Sequence, residues 1–327
     1  MKHINFIEEE NYYDTMINLV RPQLEHSKVS GLFKSFDEKE IYYEYYECQN
    51  EKGAIVISHG FCEFSVKFEE VIYYFHQIGY GVYILDHRGH GYSYRETKDL
   101  SMVHIRSYDE YVDDLHCFIK HFVIQPGKHR FMVLYGHSMG GAIAALYLER
   151  YTNIFDCAIL SSPMLQMNFG KLPAGFARLI LSIMKSLRSE KVYAIGQGTF
   201  DSIPLFESSS CLSKERYDYI FSKRMENERY QTYGASCGWA IESLKAINKL
   251  QKNAKVVKTP LLLFQAGKDS TVKAGGQRRF TKKTKNTLLV KIPGSKHEIY
   301  NASTDILSKY FEQIFSFMEH NRNTKYM

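Results

Sequence analysis

Short runs of apolar residues recur along the chain at 54–58 (AIVIS), 81–85 (GVYIL), 131–135 (FMVLY), 157–161 (CAILS), 260–265 (PLLLFQ) and 287–292 (TLLVKI). Runs this short that are mainly apolar, without a strict alternation of polar and apolar positions, predict buried strands. Helical patterns separate most of them, and such alternation predicts an α/β fold: a mostly parallel sheet flanked on both faces by helices. Residues 41–47 (IYYEYYE) alternate imperfectly and predict an exposed or edge strand. Between Ser162 and Lys258 the rhythm breaks into helical patterns with no convincing buried strand. The expected division is therefore 1–162 for the first part of the core, 163–258 for a helical cap insertion, and 259–327 for the rest of the core. An insertion between two strands of such a sheet sits above their carboxyl ends, where open α/β folds bind ligands. There is no internal repeat and no low-complexity linker.

Composition narrows the class without naming a chemistry. At 327 residues the chain can bury a substantial core, and 44% hydrophobic with 24% charged residues excludes a mainly disordered or fibrous protein. The formal net charge of +6 is modest for this size and accompanies no nucleic-acid motif, so nucleic acid is not an expected partner. Cys48, Cys62, Cys117, Cys157, Cys211 and Cys237 are scattered with no C-x-x-C pair, which argues against a zinc site and a disulfide framework. Glu8, Glu9 and Glu10 stand where a leader would carry basic and then apolar residues, and no apolar run reaches spanning length. A cytoplasmic protein is expected, with peripheral contact to a membrane left open.

The strongest chemical signal is Gly136-His137-Ser138-Met139-Gly140, set directly between the apolar run FMVLY and the Ala-rich helical stretch AIAALYLER. A serine between strand and helix needs a sharp turn, small neighbours let the backbone cross itself there, and the turn lifts the hydroxyl into the open. A serine hydroxyl is a weak nucleophile. It requires a base within hydrogen-bond reach and a carboxylate to orient that base. For a serine on this kind of elbow the acid and then the histidine follow it along the chain. Only His297 and His320 follow the last strands, and His320 sits near the end of a terminal helix, whereas His297 lies in the loop after TLLVKI. Asp269 follows PLLLFQ and the turn residues Ala266-Gly267-Lys268, a context that Asp156, Asp201 and Asp218 lack.

An ester carbonyl attacked by Ser138 develops an oxyanion that needs two backbone donors, one after the serine and one in the loop after the first buried strand. These would be the amides of Met139 and Phe61. AIVIS runs straight into His59-Gly60-Phe61, where Gly60 allows close backbone approach and His59 is structural, not a base.

With these residues in place the chain resembles the lysophospholipase and monoacylglycerol lipase branch of the α/β hydrolases. His59-Gly60 resembles the family's oxyanion loop, and Asp86-His87-Arg88-Gly89-His90-Gly91-Tyr92-Ser93 its D-x-R-G-x-G-x-S turn. Gly136 to Gly141 resembles its nucleophile elbow, Gly267-Lys268-Asp269 its acid loop, and Gly294-Ser295-Lys296-His297-Glu298 its histidine loop. The stretch Gly60-Phe61-Cys62-Glu63, with Lys67 and Phe68 after it, is closer to the bacterial lysophospholipase form and lacks the second glycine common in monoacylglycerol lipases. The resemblance implies the α/β-hydrolase fold, a serine carboxylic-ester hydrolase, a small-molecule lipid or ester substrate, and neither metal nor organic cofactor. Glu63 and Lys67, four residues apart on an opening helix, are expected to form a solvated pair, and Asp86 and Arg88 to brace loops near the site.

In the cap, Phe176, Leu179, Ile180, Ile183, Met184 and Leu187 recur at helical spacing, and Lys171, Arg178, Lys185, Arg188 and Lys191 add positive charge. This basic amphipathic helix either packs its apolar stripe over the site or meets a lipid surface. Phe169, Leu172, Phe176, Ile180, Met184 and Trp239 are the expected lining for an acyl chain. The expected reaction is hydrolysis of monoacyl lipids, of the lysophospholipase or monoacylglycerol lipase type, through an acyl-enzyme. A serine aminopeptidase of the same fold and a small-ester carboxylesterase stand as alternatives. The first would need a cap carboxylate for a substrate amine, with Glu207, Glu215, Glu226 and Glu242 as candidates.

Overall fold

A computed structural model describes residues 4–124, 127, 129–168 and 190–326. Its strands are β1 (Lys28–Lys34), β2 (Glu40–Tyr46), β3 (Ala54–Ser58), β4 (Gly81–Leu85), β5 (Met102–Val103), β6 (Met132–His137), β7 (Cys157–Ser161), β8 (Gly234–Ala235), β9 (Leu261–Ala266) and β10 (Thr287–Ile292). Eight of them form one sheet in the order β1-β2-β4-β3-β6-β7-β9-β10, while β5 and β8 pair apart from it. From β4 to β10 every neighbouring pair is parallel; β2 runs antiparallel to β4, and β1 to β2. The expected α/β-hydrolase architecture is borne out.

The apolar runs explain how the sheet is covered. Successive side chains of a strand point to opposite faces, so Ala54 and Val56 of β3 join one hydrophobic cluster while Ile55 and Ile57 join the other. Leu134 and Val133 of β6, and Leu263 and Leu262 of β9, divide in the same way. The helices Asp109–Phe118, Ser138–Arg150 and Ala274–Lys283 complete the first cluster. The helices Glu69–Gln77 and Thr304–Lys325, with residues 12–27, complete the second. In that N-terminal stretch Tyr12, Met16, Val20 and Leu24 recur every fourth residue and are buried, the spacing of one helical face.

One expectation is corrected. Residues 41–47 are not an edge: β1 pairs along β2 from Lys28↔Tyr46 to Lys34↔Glu40, and β4 pairs on its other side. On this side of the sheet the edge is β1, which is exposed or half-exposed throughout, so it has no buried side for the pattern to register. The helix Cys237–Asn253 packs Trp239, Ala246, Ile247 and Leu250 into the cluster that covers the sheet, beside the helix Ser138–Arg150. It is the crossover helix between the adjacent parallel strands β7 and β9. Its amphipathic pattern is that of any covering helix, so the sequence alone does not say which layer it joins. We propose that 163–258 holds the cap, with the helix Cys237–Asn253 at its end also covering the sheet.

Candidate active site

The ends of β3, β6, β9 and β10 supply the site, as expected for a parallel sheet whose carboxyl ends lie together. β6 runs directly into the helix Ser138–Arg150, and Ser138 takes φ of 52°. That left-handed backbone costs a non-glycine residue about 1–3 kcal/mol and persists only where its surroundings hold it. Here the surroundings are close-packed backbone. A Cβ on Gly140 would stand 2.0 Å from the Ser58 carbonyl oxygen, and one on Gly136 would stand 2.7 Å from the Gly140 carbonyl oxygen. The glycines therefore admit β3 and the helix to contact distance, and Ser138 is held at the apex.

Ser138, His297 and Asp269 come together in one hydrogen-bonded chain. Ser138 Oγ lies 2.8 Å from His297 Nε2, and His297 Nδ1 lies 2.7 Å from Asp269 Oδ2. The other oxygen of Asp269 accepts the amides of Thr271 and Val272, each at 2.9 Å. Burial pushes this carboxyl up, but the hydrogen bond and charge of His297 and the two amides outweigh it and hold it below the usual carboxylate range. Asp269 is thus an anion at neutral pH. It receives Nδ1–H, which leaves Nε2 free to accept from the serine hydroxyl.

Two further histidines near the triad are not bases. His59 donates from Nδ1 to the Gly60 carbonyl at 2.8 Å and accepts at Nε2 from the His87 amide at 2.8 Å. Burial pushes it down to about 4, and burial does the same to His137, whose ring centre lies 5.0 Å from that of His297. A neutral His137 leaves a protonated His297 unopposed.

The loop after β3 contains Phe61, whose amide we propose as one oxyanion donor. Among the described residues none accepts from the Phe61 N–H, and Met139 lies at the start of its helix, where amides have no intrahelical partner. Cys62 takes φ of 59°, a backbone that favours glycine, in a loop whose sequence lacks a second glycine. Its carbonyl accepts from Arg224 Nη2 at 2.5 Å, which ties the loop to the helix Lys214–Glu226. The Phe61 ring leans on Trp239, with centroids 4.2 Å apart. Trp239 thus packs behind the Phe61 loop and is only 3% exposed. Phe169, Leu172, Phe176, Ile180 and Met184, and with them the basic helix, lie outside the described residues.

The Glu63 and Lys67 expectation is half right. The two pair at 3.0 Å, but they are buried, at 3% and 8% exposure, and not solvated. Lys67 also bonds Glu298 at 2.8 Å, and Glu63 accepts the Tyr300 hydroxyl at 2.6 Å. Burial disfavours charge on Glu63, yet Lys67, then His137, and the Tyr300 hydrogen bond hold it well below the usual range. The spacing of the pair was legible; its burial depends on Glu298 and Tyr300, more than 200 residues on, which no local pattern reveals.

The Asp86 to Ser93 turn braces this loop. Asp86 accepts the amides of Ser65 at 2.7 Å and Tyr92 at 3.1 Å, and burial pushes its carboxyl up to about 7. Arg88, 1% exposed, is forked onto Asp114 at 2.7 and 2.8 Å and reaches Asp37 at 3.2 Å.

Comparison with known proteins shows the family. The family described as serine aminopeptidase, S33 (Hydrolase_4) matches residues 49–304. Lysophospholipase L2 of Escherichia coli (strain K12) is 32% identical over 241 residues, covering 73% of this chain and 70% of that protein. The monoacylglycerol lipase of Mycolicibacterium smegmatis is 25% identical over 254 residues, covering 76% of this chain and 82% of that protein. Among solved structures, the monoacylglycerol lipase of Paleococcus ferrophilus superposes with a TM-score of 0.68 at 21% identity, over 86% of this chain and 99% of that one. Fold and site together define an α/β hydrolase. The chain belongs to the serine aminopeptidase S33 family, Hydrolase_4, alongside lysophospholipase L2. It is an enzyme, a carboxylic ester hydrolase similar to lysophospholipase and monoacylglycerol lipase.

Proposed function

We propose that the protein hydrolyses esters of single acyl chains on a glycerol-type head through an acyl-enzyme on Ser138. The observation that carries this reading is the hydrogen-bonded chain from Ser138 through His297 to Asp269 at the carboxyl ends of the sheet. Ser138 Oγ attacks the ester carbonyl carbon as its proton passes to His297 Nε2. The amides of Phe61 and Met139 receive the oxyanion, and His297 returns the proton to the departing alkoxide. Water then attacks the acyl carbon with His297 as base, releasing the fatty acid and restoring Ser138. The names of the relatives favour a lipid ester, as does the apolar lining expected from Phe169, Leu172, Phe176, Ile180, Met184 and Trp239.

The aminopeptidase alternative has less support. Glu226 is engaged by Lys223, Glu242 by Lys245 and Glu215 by the Ser213 hydroxyl, while Glu207 is exposed. Residues 169–189 carry Lys171, Arg178, Lys185 and Arg188 and no acidic residue, a poor setting for an ammonium group. That same basic, apolar stretch is the part of the chain we infer to touch an anionic lipid surface. Cosedimentation with anionic vesicles should weaken with salt and in a Lys185→Glu, Arg188→Glu variant, and equal binding by both proteins would remove the idea. Among the described residues no helix is long and apolar enough to cross a membrane.

Substrate class is tested by chain length. Each buried methylene is worth about 0.8 kcal/mol, so kcat/KM should climb severalfold per added pair of carbons until the pocket is full. Monoacyl esters from about two to about sixteen carbons, kept below their micelle concentrations, give the series. A maximum at acetyl or propionyl, or faster turnover of an alanyl amide than of a lysophosphatidylcholine, would defeat the lipid reading.

A further inference from the structure

Glu63 takes no part in the steps above, yet its carboxylate joins the strand ends that carry them. Its Oε2 accepts the Gly60 N–H at 2.5 Å, and its Oε1 accepts the Tyr300 hydroxyl and the Lys67 ammonium, with His137 Nε2 at 3.6 Å. Gly60 precedes Phe61, His137 precedes Ser138, and Tyr300 lies just beyond His297. Lys67 continues the chain to Glu298, the residue next to His297. A carboxylate this buried and this fully engaged has no oxygen left for a substrate head group.

The local backbone says what Glu63 accomplishes. Gly60 is held on both sides: its N–H by Glu63, and its carbonyl by His59 Nδ1 at 2.8 Å. In a trans peptide the carbonyl of one residue and the N–H of the next point in opposite directions. Fixing Gly60 therefore aims the Phe61 N–H. The fit is close, since a Cβ on Gly60 would stand 2.7 Å from Glu63 Oε2. We propose that Glu63 is a positioning residue that aims the Phe61 amide at the oxyanion and locks its loop to the segments bearing Ser138 and His297. This role rests on the reading of Ser138 as nucleophile and of Phe61 as oxyanion donor.

Oxyanion donors act through preorganisation, and losing one outright costs about a hundredfold to a thousandfold in kcat. A donor left in place but poorly aimed should cost less. Glutamine keeps the size of Glu63 but supplies one acceptor oxygen where the donors need two. Glu63→Gln, shown to be folded by circular dichroism, should lower kcat by about tenfold to a hundredfold with KM within about threefold. The loss should be equal on a p-nitrophenyl ester and on a monoacylglycerol of the same acyl chain, and affinity for a trifluoromethyl ketone, whose oxyanion uses the same amides, should fall in step. Unchanged kcat in the folded variant overturns the role, as does a KM increase confined to the glycerol ester, which marks a head-group contact instead. If Glu63→Gln does not fold, Tyr300→Phe removes one hydrogen bond from the same carboxylate. Its kcat should drop by about threefold or more, and an unchanged kcat there is equally fatal. Ser138→Ala, run alongside, separates the two readings: turnover retained in it removes the nucleophile assignment itself, whereas an inactive Ser138→Ala beside a fully active Glu63→Gln removes only the positioning role.

Discussion

Ser138→Ala and His297→Ala should each lower kcat by on the order of a thousandfold or more, and by similar factors. The hydroxyl is a nucleophile only while His297 Nε2, 2.8 Å away, can take its proton, so neither residue contributes alone. For the same reason the double variant should be scarcely worse than either single one, as is usual for groups that act as a unit. Removing Ser138 also relieves no packing defect, because the elbow is shaped by the contacts of Gly136 and Gly140 and not by the serine side chain. Steady-state kinetics on a p-nitrophenyl ester measures all of this, and appreciable turnover by purified, folded Ser138→Ala would contradict the assignment.

Asp269→Asn should be nearly as damaging, with a loss in kcat approaching about a thousandfold. The geometry supplies a specific reason. Oδ1 of Asp269 is held by the amides of Thr271 and Val272, so an asparagine will place its carbonyl oxygen there and turn its NH2 toward His297 Nδ1. Nδ1 must then accept, which moves the ring proton to Nε2, where it can no longer take the proton of Ser138. The defect should appear in kcat at neutral pH with the fold intact, because asparagine keeps the backbone hydrogen bonds of the loop. A mild effect would mean that the acid lies elsewhere.

The sheet was legible because its central strands are mainly apolar without strict alternation, a pattern made by burial on both faces, and their predicted limits fall within about two residues of those observed. Ser138 and Asp269 were legible because each follows such a strand, and His297 because it follows the mainly apolar edge strand β10; parallel topology alone then gathers the strand ends. β1 was not, since an edge strand with no buried face carries no periodic signal. The role of the helix Cys237–Asn253 was not, because its apolar stripe specifies a partner layer without naming it. The buried Glu63 and Lys67 looked like a surface pair because their i, i+4 spacing is local, whereas Glu298 and Tyr300, which bury and neutralise them, are brought in only by tertiary structure.

That Ser138 is the nucleophile is tested most directly by mass spectrometry of the intact protein and its peptides after exposure to a fluorophosphonate. The wild-type enzyme should take up one phosphonyl group, with loss of fluoride, on the peptide containing Ser138, and activity should disappear in proportion to labelling. Ser138→Ala should remain unlabelled. An adduct on another residue, a labelled Ser138→Ala, or full activity in a protein completely labelled at Ser138 would contradict the account.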